Sequence, residues 1–189
     1  MSQIIETVGA CRISFREPVF DTLVRSIVYQ QLSGKAAATI FGRLSEAVAN
    51  SKGELTPRSL LKLKQEEARA VGISQQKYSY LRDLAERTVA RQVNFAKLSD
   101  LSDDEVIAHL TQVKGVGVWT AHMFLIFALQ RPDVLPTGDL GVRTAIKRAW
   151  DLEELPTPEA MEAIAAPWRP YRSIASWYLW RNLDGPAEM

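Results

Sequence analysis

Apolar side chains recur at helical spacing along almost the whole chain, and no segment sustains the period-two alternation of a half-buried strand. Phe20, Leu23, Val24, Ile27, Val28 and Gln31 fall at i, i+3, i+4, i+7, i+8 and i+11, which gives one buried helix face. Ile40, Phe41, Leu44 and Val48 continue the pattern, as do Leu81, Leu84, Ala85, Thr88 and Val89 after Gly72-Ile73-Ser74. Start signals agree with the period. Thr56-Pro57 and Thr157-Pro158 each set a capping hydroxyl before a proline at the first helical position, and Ser102-Asp103-Asp104-Glu105 is a capping box ahead of Val106, Ile107, Leu110 and Val113. The chain is expected to be all-α, with about nine or ten helices.

One interruption stands out. Residues 113–121 read VKGVGVWTA, two glycines set between two helical stretches. Each glycine inside a helix would cost about 0.8–1.0 kcal/mol against alanine, so the pair marks a deliberate break. The first helix is expected to end near Gln112 and the second to run from near Gly117 to about Gln130. Gly115 suits a positive φ, and Gly117 suits close approach of another backbone. The second helix then presents unpaired amides at its start, where its dipole favours an anion such as a phosphate, with Lys114 beside it. A plain αα-corner explains the glycines equally well.

Composition narrows the function classes. With 23 Lys+Arg against 22 Asp+Glu, the net charge of +1 is far from a strongly basic footprint, so a nucleic-acid partner must be argued from local geometry. The apolar-rich run Val116–Leu129 is too short for a membrane span, and no membrane partner is expected. MSQIIETVGACRIS lacks the basic start and apolar middle of a signal peptide, which leads us to expect an intracellular protein, in the cytoplasm or nucleoid of a prokaryote or the nucleus of a eukaryote. Cys11 is the sole cysteine, so neither an internal disulfide nor a cysteine-cluster metal site can form.

LTQVKGVGVWTA resembles the helix–hairpin–helix element of the HhH-GPD superfamily of DNA glycosylases, in the run Leu110, Gly115, Val116, Gly117, Thr120 and Ala121. Three further segments are similar to the superfamily's alkylated-base (3-methyladenine glycosylase II) branch: IVYQQLSGKAAATIF, VGISQQKYSYLRDLA and PWRPYRSIASWYLW. Together they cover about residues 18–182 in the right order. The resemblance implies a two-lobed all-α fold with a cleft. One lobe would span 24–128 and hold the helix–hairpin–helix at about 102–130; the other would combine 1–23 with 129–189.

The same resemblance assigns residues. Lys114, Gly115, Val116, Gly117 and Thr120 would bind DNA, and Asp139 in LPTGDLGVRTAIKR would be the catalytic carboxylate at the lobe interface, facing Trp119 and Trp180. Read without it, Asp139 is an ordinary helix N-cap, and Asp133 and Asp151 are weaker rivals for catalysis. An oxocarbenium-like sugar is stabilised by a fixed anion, and an alkylated purine that is already cationic leaves without a strong general acid. Trp119, Trp180 and Met123 would line the base pocket, with Trp177 and Tyr178 as nearby candidates on the helix of Trp180; a place in the core is the alternative for these aromatics, and for Trp177 it is favoured. Met123 stands where some members of the family carry tyrosine. Gln31 or Leu32 would be the wedge that fills the gap left by the flipped nucleotide, unless Gln31 only caps its helix. His109 and His122 read as satisfied surface or core histidines. The family's hairpin often holds a monovalent cation on backbone carbonyls, here those of Thr111 and Val113; no side chain is expected to bind a metal, and no cofactor is needed.

In bifunctional relatives the position of Trp119 holds a lysine that forms a Schiff base and leads to strand cleavage. An indole cannot do this. The sequence therefore predicts a monofunctional, monomeric glycosylase acting on double-stranded DNA with alkylated bases, such as 3-methyladenine and 7-methylguanine. The alternatives are a non-catalytic hairpin module that binds DNA, and a glycosylase for hypoxanthine, an oxidised base or a mismatched base.

Overall fold

A computed structural model describes residues 1–49 and 53–184. Among these residues the secondary structure is entirely helical. In chain order the α-helices are α1 (Ser2–Val8), α2 (Phe20–Tyr29), α3 (Gly34–Val48), α4 (Pro57–Lys62), α5 (Gln65–Ala70), α6 (Gln75–Val89), α7 (Asp103–Leu110), α8 (Val118–Phe127), α9 (Leu140–Ala149), α10 (Pro158–Ala165) and α11 (Arg172–Asp184). Short 3-10 turns cover Phe95–Asp100 and Ala166–Trp168. The count exceeds the nine or ten expected because α5, six residues and under two turns long, repeats no apolar position. No described helix is long and apolar enough to cross a membrane.

The chain divides into two compact units, residues 16–124 and residues 1–15 with 125–189. The boundaries expected from the resemblance lay at 23/24 and 128/129. Phe20 and Leu23 go instead with the larger unit, since they open α2, and Phe20 meets the ring of Phe95 edge-on at 6.2 Å.

In the larger unit the predicted periodicity becomes burial: Leu23, Ile27, Leu44, Leu81, Leu84 and Leu110 are at most 1% exposed. Each fully buried side chain of this size contributes roughly 1.5–3 kcal/mol. Val89 departs from expectation at 45% exposed, because it lies in the last turn of α6, beyond the packed stretch. The starts predicted from sequence carry their caps. The Thr56 hydroxyl accepts the Ser59 amide at 3.1 Å, and Ser102 and Glu105 exchange the two bonds of a capping box at 3.3 and 2.8 Å.

The smaller unit packs Ile4, Val142, Ile146, Met161 and Leu179 into one core, and Thr157 caps α10 by accepting the Ala160 amide at 3.3 Å. The Tyr178 hydroxyl donates to the Gly9 carbonyl at 3.0 Å, tying the end of α1 to α11. Arg172, 8% exposed, grips Asp133 through Nε at 2.7 Å and Nη2 at 3.1 Å, and Glu162 through Nη1 at 2.9 Å. Desolvation works against the charge on Asp133, but the hydrogen bonds of Arg172 and the charges of Arg172 and Arg169 hold its carboxyl below the usual range. Asp133 is thus a structural anion, and Asp151 is an exposed residue with φ +51° at the turn after α9.

Candidate active site

The hairpin runs from Thr111 to Gly117. α8 ends three residues earlier than expected, at Phe127, where Gln130 turns left-handed (φ +55°) and the Arg131 amide closes back on the Leu125 carbonyl at 2.9 Å. Two backbone bonds shape the hairpin, Val113 N–H to Leu110 O at 3.1 Å and Val116 N–H to Val113 O at 3.0 Å. Val113 and Val116 turn their side chains inward, while Lys114, Gly115 and Gly117 are exposed. Val116, expected to bind DNA, can therefore do so only through its backbone.

Gly115 has φ +77°, and a Cβ there would run into the ring of Tyr80. Only glycine satisfies both conditions. Around Gly117, by contrast, nothing lies within 4 Å of a built Cβ. Among the described residues none lies close enough to supply the backbone expected to approach it on that side. Gly117, just before α8, and Val118, its first residue, have amides with no helical carbonyl one turn back to receive them.

Contacts distant in sequence hold this turn. Gln30 Nε2 donates to the Gly115 carbonyl at 2.9 Å, and the Lys114 amide donates to Asp83 Oδ2 at 2.9 Å. Asp83 also accepts from Arg87 Nε at 2.9 Å; although desolvation opposes its charge, the Lys114 amide and Arg87 hold its carboxyl below the usual range. Lys77 Nζ donates to the carbonyls of Val28 and Gln30 at 2.6 and 2.8 Å, satisfying the orphan carbonyls at the end of α2, and burial lowers its pKa. The Gly72–Leu81 segment thus acts as a brace. Lys77 fixes α2, Gln30 at the end of α2 fixes Gly115, and Tyr80 backs it.

Beside the hairpin, within the larger unit, lies a concavity of about 850 Å³. It collects Gln31, Leu32, Gly115, Trp119, Thr120 and Met123, bringing the expected wedge, two expected pocket residues and part of the hairpin to one place. Trp119 is 45% exposed and Leu32 39%, and together they give the concavity an accessible apolar lining that suits contact with a ligand. Thr120 is only 4% exposed, so its side chain is withheld from the surface that Lys114 and Gly117 share. Gln31 adopts φ +57° just past α2, a left-handed non-glycine residue. One wall went unpredicted: the Arg25 guanidinium stacks on the Tyr29 ring, 3.8 Å from its centroid. Arg16 and Lys77 also line the space, and no carboxylate does.

A separate group of expected residues lies in the smaller unit, at the start of α9. Asp139 is 8% exposed, and its Oδ1 accepts the Val142 amide at 2.8 Å, so the N-cap reading holds. The same oxygen accepts the indole N–H of Trp180, also at 2.8 Å. Trp180, expected as a pocket wall, is stacked on Phe127 with centroids 5.8 Å apart and planes 29° apart. Trp177 packs against the core, as favoured from sequence, and Tyr178, a nearby pocket candidate, lies in it. The Trp180–Asp139 bond carries no local sequence signal, because the partners are 41 residues apart.

His122 differs from its expectation. Its Nδ1 is buried without a hydrogen-bond partner, and desolvation lowers its pKa, with the charge of Asp103 acting in the opposite direction. His109 Nδ1 sits 3.2 Å from the Glu105 carbonyl. No described cluster of three His, Cys, Asp or Glu side chains could hold a metal ion. The Val113 carbonyl already takes one amide hydrogen at 3.0 Å and keeps a second lone pair, which fits a weak backbone ligand for a monovalent cation alongside Thr111.

Known proteins share this sequence pattern and fold. Residues 24–170 match the model of the HhH-GPD superfamily of base excision DNA repair proteins. DNA-3-methyladenine glycosylase 1 of Schizosaccharomyces pombe is 36% identical over 88% of this chain and 73% of its own length. The crystallised S. pombe 3-methyladenine DNA glycosylase, in complex with abasic DNA, superposes with a TM-score of 0.84 at 33% identity, covering 97% of this chain and 90% of that one. A DNA-3-methyladenine glycosidase from Bacillus halodurans superposes with a TM-score of 0.83 at 36% identity over 95% of this chain and 82% of its own. With a family model spanning most of its length and an all-helical fold shared with these enzymes, the chain belongs to the HhH-GPD superfamily of base excision DNA repair proteins.

Proposed function

We propose that this protein is a monofunctional DNA glycosylase that hydrolyses the N-glycosidic bond of alkylated purines, 3-methyladenine and 7-methylguanine among them, in double-stranded DNA. The observation that carries the reading is the Asp139 carboxylate, sequestered at a helix start and held by two N–H donors. The relatives' own names concern 3-methyladenine, and one of them is seen with abasic DNA, the product such a reaction leaves.

The open amides of Gly117 and Val118, with Lys114 exposed beside them, bind a backbone phosphate and set the register of the duplex. A monovalent cation on the Thr111 and Val113 carbonyls would add positive charge for that phosphate. Gln31 or Leu32 fills the space of the extruded nucleotide, and Trp119 with Met123 receives its base. Stacking of a cationic base on the Trp119 indole contributes about 0.5–2 kcal/mol. As the bond from C1′ to the base nitrogen breaks, its electron pair leaves with the base, and an N-alkylated purine cation departs neutral. Asp139 stabilises the positive charge left on the sugar. Water adds to C1′, its oxygen forming the new bond and its proton passing to Asp139 and then to solvent. Trp119 offers no amine, so no Schiff base forms, and the strand stays whole. The protein acts as a monomer.

A wider lesion range is a second reading, favoured by the concavity's lining. Arg16, Arg25 and Lys77 line it and, among the described residues, no carboxylate does, so only the Trp119 ring face favours a cationic base over a neutral one. Methylated duplex and hypoxanthine-containing duplex are incubated with the protein, and released bases are identified. Release of methylated purines, abolished in Asp139→Asn with DNA binding retained, is the expected result. No base released from either duplex would leave a binding module, and nicking without added base or heat would refute the monofunctional assignment.

A further inference from the structure

Trp180 resembles a pocket aromatic in sequence, yet its polar atom and one ring face are engaged within its own unit. The indole N–H points at Asp139 Oδ1 (2.8 Å), and the ring lies on Phe127. We propose that Trp180 is a positioning residue for the Asp139 carboxylate, and that residue 141 is glycine so that this contact can form. The proposal rests on the reading of Asp139 as the catalytic group.

The geometry of the cap explains why a second donor is needed. An N-cap bond from the Val142 amide fixes where the carboxylate sits, but the terminal torsion of an aspartate is broad and only weakly staggered. A second donor from another helix removes that freedom. Trp180 belongs to α11 and donates to the same Oδ1 as the Val142 amide, so the two bonds together define the carboxylate plane. The Phe127 ring sets the orientation of the indole. A charge held in place before reaction need not reorganise when the sugar turns cationic, which is where electrostatic stabilisation is most effective.

Gly141 supplies independent support. Its φ is not in the left-handed region, so its backbone does not require glycine. A Cβ built there would lie 3.0 Å from Asp139 Oδ1, 3.0 Å from Trp180 Cδ1 and 3.2 Å from Trp180 Nε1. The two groups that would crowd a methyl at 141 are the two partners of the hydrogen bond. What the position lacks is space, and the bond occupies that space.

Trp180→Phe keeps a ring against Phe127 and deletes only the N–H. Single-turnover release of methylated purines should fall roughly tenfold to a hundredfold in rate, with the concentration dependence unchanged within about twofold. In the Asp139→Asn background the same substitution should cost nothing further, since a residue acting through the carboxylate has no separate effect once the charge is gone. Gly141→Ala, which leaves both side chains intact, should lower the rate about threefold to tenfold, and it carries the test should Trp180→Phe fold poorly by its melting temperature. A weaker apparent affinity with an unchanged maximal rate, or an equal loss in the Asp139→Asn background, would assign Trp180 to the pocket wall and overturn the proposal. Full activity of both Trp180→Phe and Gly141→Ala, with Asp139→Asn inactive, would overturn it while sparing the reading of Asp139. An Asp139→Asn variant as active as wild type would remove both.

Discussion

Two glycine-bearing turns, one in each unit, are held in opposite ways. The hairpin offers backbone, and what holds it is distributed: Gln30 on the Gly115 carbonyl, Asp83 on the Lys114 amide, the Tyr80 ring behind Gly115. The Asp139 turn offers one carboxylate, and the Val142 amide and the Trp180 indole converge on one of its oxygens. Glycine serves them differently too. Gly115 is required by its positive φ and by Tyr80, whereas Gly141 is required by space alone. A surface that binds by shape needs its whole outline fixed; a charge that acts at one point needs only that point fixed. Damage to the first should appear in stability and DNA binding together, and removal of the charge from the second in rate alone.

Asp139→Asn puts the sharpest strain on this contrast. Asparagine is as good an N-cap as aspartate, so the melting temperature should barely move while base release falls by at least about a hundredfold. Asp139→Ala should lose the same activity and about 0.5–2 kcal/mol of stability as well. Equal melting temperatures for the two variants would mean that the cap contributes nothing. Gly115→Ala is the counterpart. A left-handed alanine costs about 1–2 kcal/mol, and relieving the Tyr80 overlap adds about 1–3 kcal/mol by overpacking. Denaturant unfolding should show the sum, with DNA affinity falling in step. Adding Tyr80→Ala should return the steric part and leave the φ part. Were Gly115→Ala to unfold like wild type, the hairpin would be less constrained than the Asp139 turn, and the contrast would reverse.

The same difference decides what could be read from sequence. Leu110, Gly115, Gly117 and Asp139 belong to short runs with fixed spacing, and capping boxes and helical periods are likewise local, so each announces itself within a few residues. The braces do not. Gln30 is 85 residues from Gly115, Asp83 is 31 from Lys114, and Trp180 is 41 from Asp139, and no periodicity links such pairs. Their polar atoms meet only because folding forces buried and half-buried groups to find partners. The Gly72–Leu81 segment was visible as a motif, but the tasks of Lys77 and Tyr80 within it were not. Helix ends fared in between: α8 stops at Phe127 because Gln130 turns left-handed, a backbone choice that glutamine does not advertise.

His122 tests the hairpin side through pH. Its folded pKa lies below the ordinary 6.5, so the unfolded chain takes up a proton first as pH falls, and stability declines through that value until the folded histidine also titrates. His122→Leu removes both this acid penalty and the unpartnered Nδ1. The variant should gain up to about 1 kcal/mol near neutrality and more at pH 5, read from denaturant midpoints at the two values. A constant difference across that range would show that His122 does not titrate on folding.

The smallest effect concerns the loop that braces the hairpin. Gln31 holds φ +57°, a conformation that costs a non-glycine residue about 1 kcal/mol, and its side chain is exposed beside the concavity. Such strain persists where the side chain is wanted at that spot. Gln31→Gly relieves it but frees the unfolded chain, so the net gain should be about 0.5 kcal/mol, a shift of a degree or two in melting temperature. If Gln31 is the wedge, release from fully paired duplex should drop severalfold, while release from a substrate with the lesion already unpaired should hold, since no gap needs filling there. If both substrates are processed at the wild-type rate, the strain serves only to end α2 where Lys77 and Gln30 need it, and Leu32, apolar and exposed on the same loop, takes the role, with Leu32→Ala showing the duplex-specific loss instead.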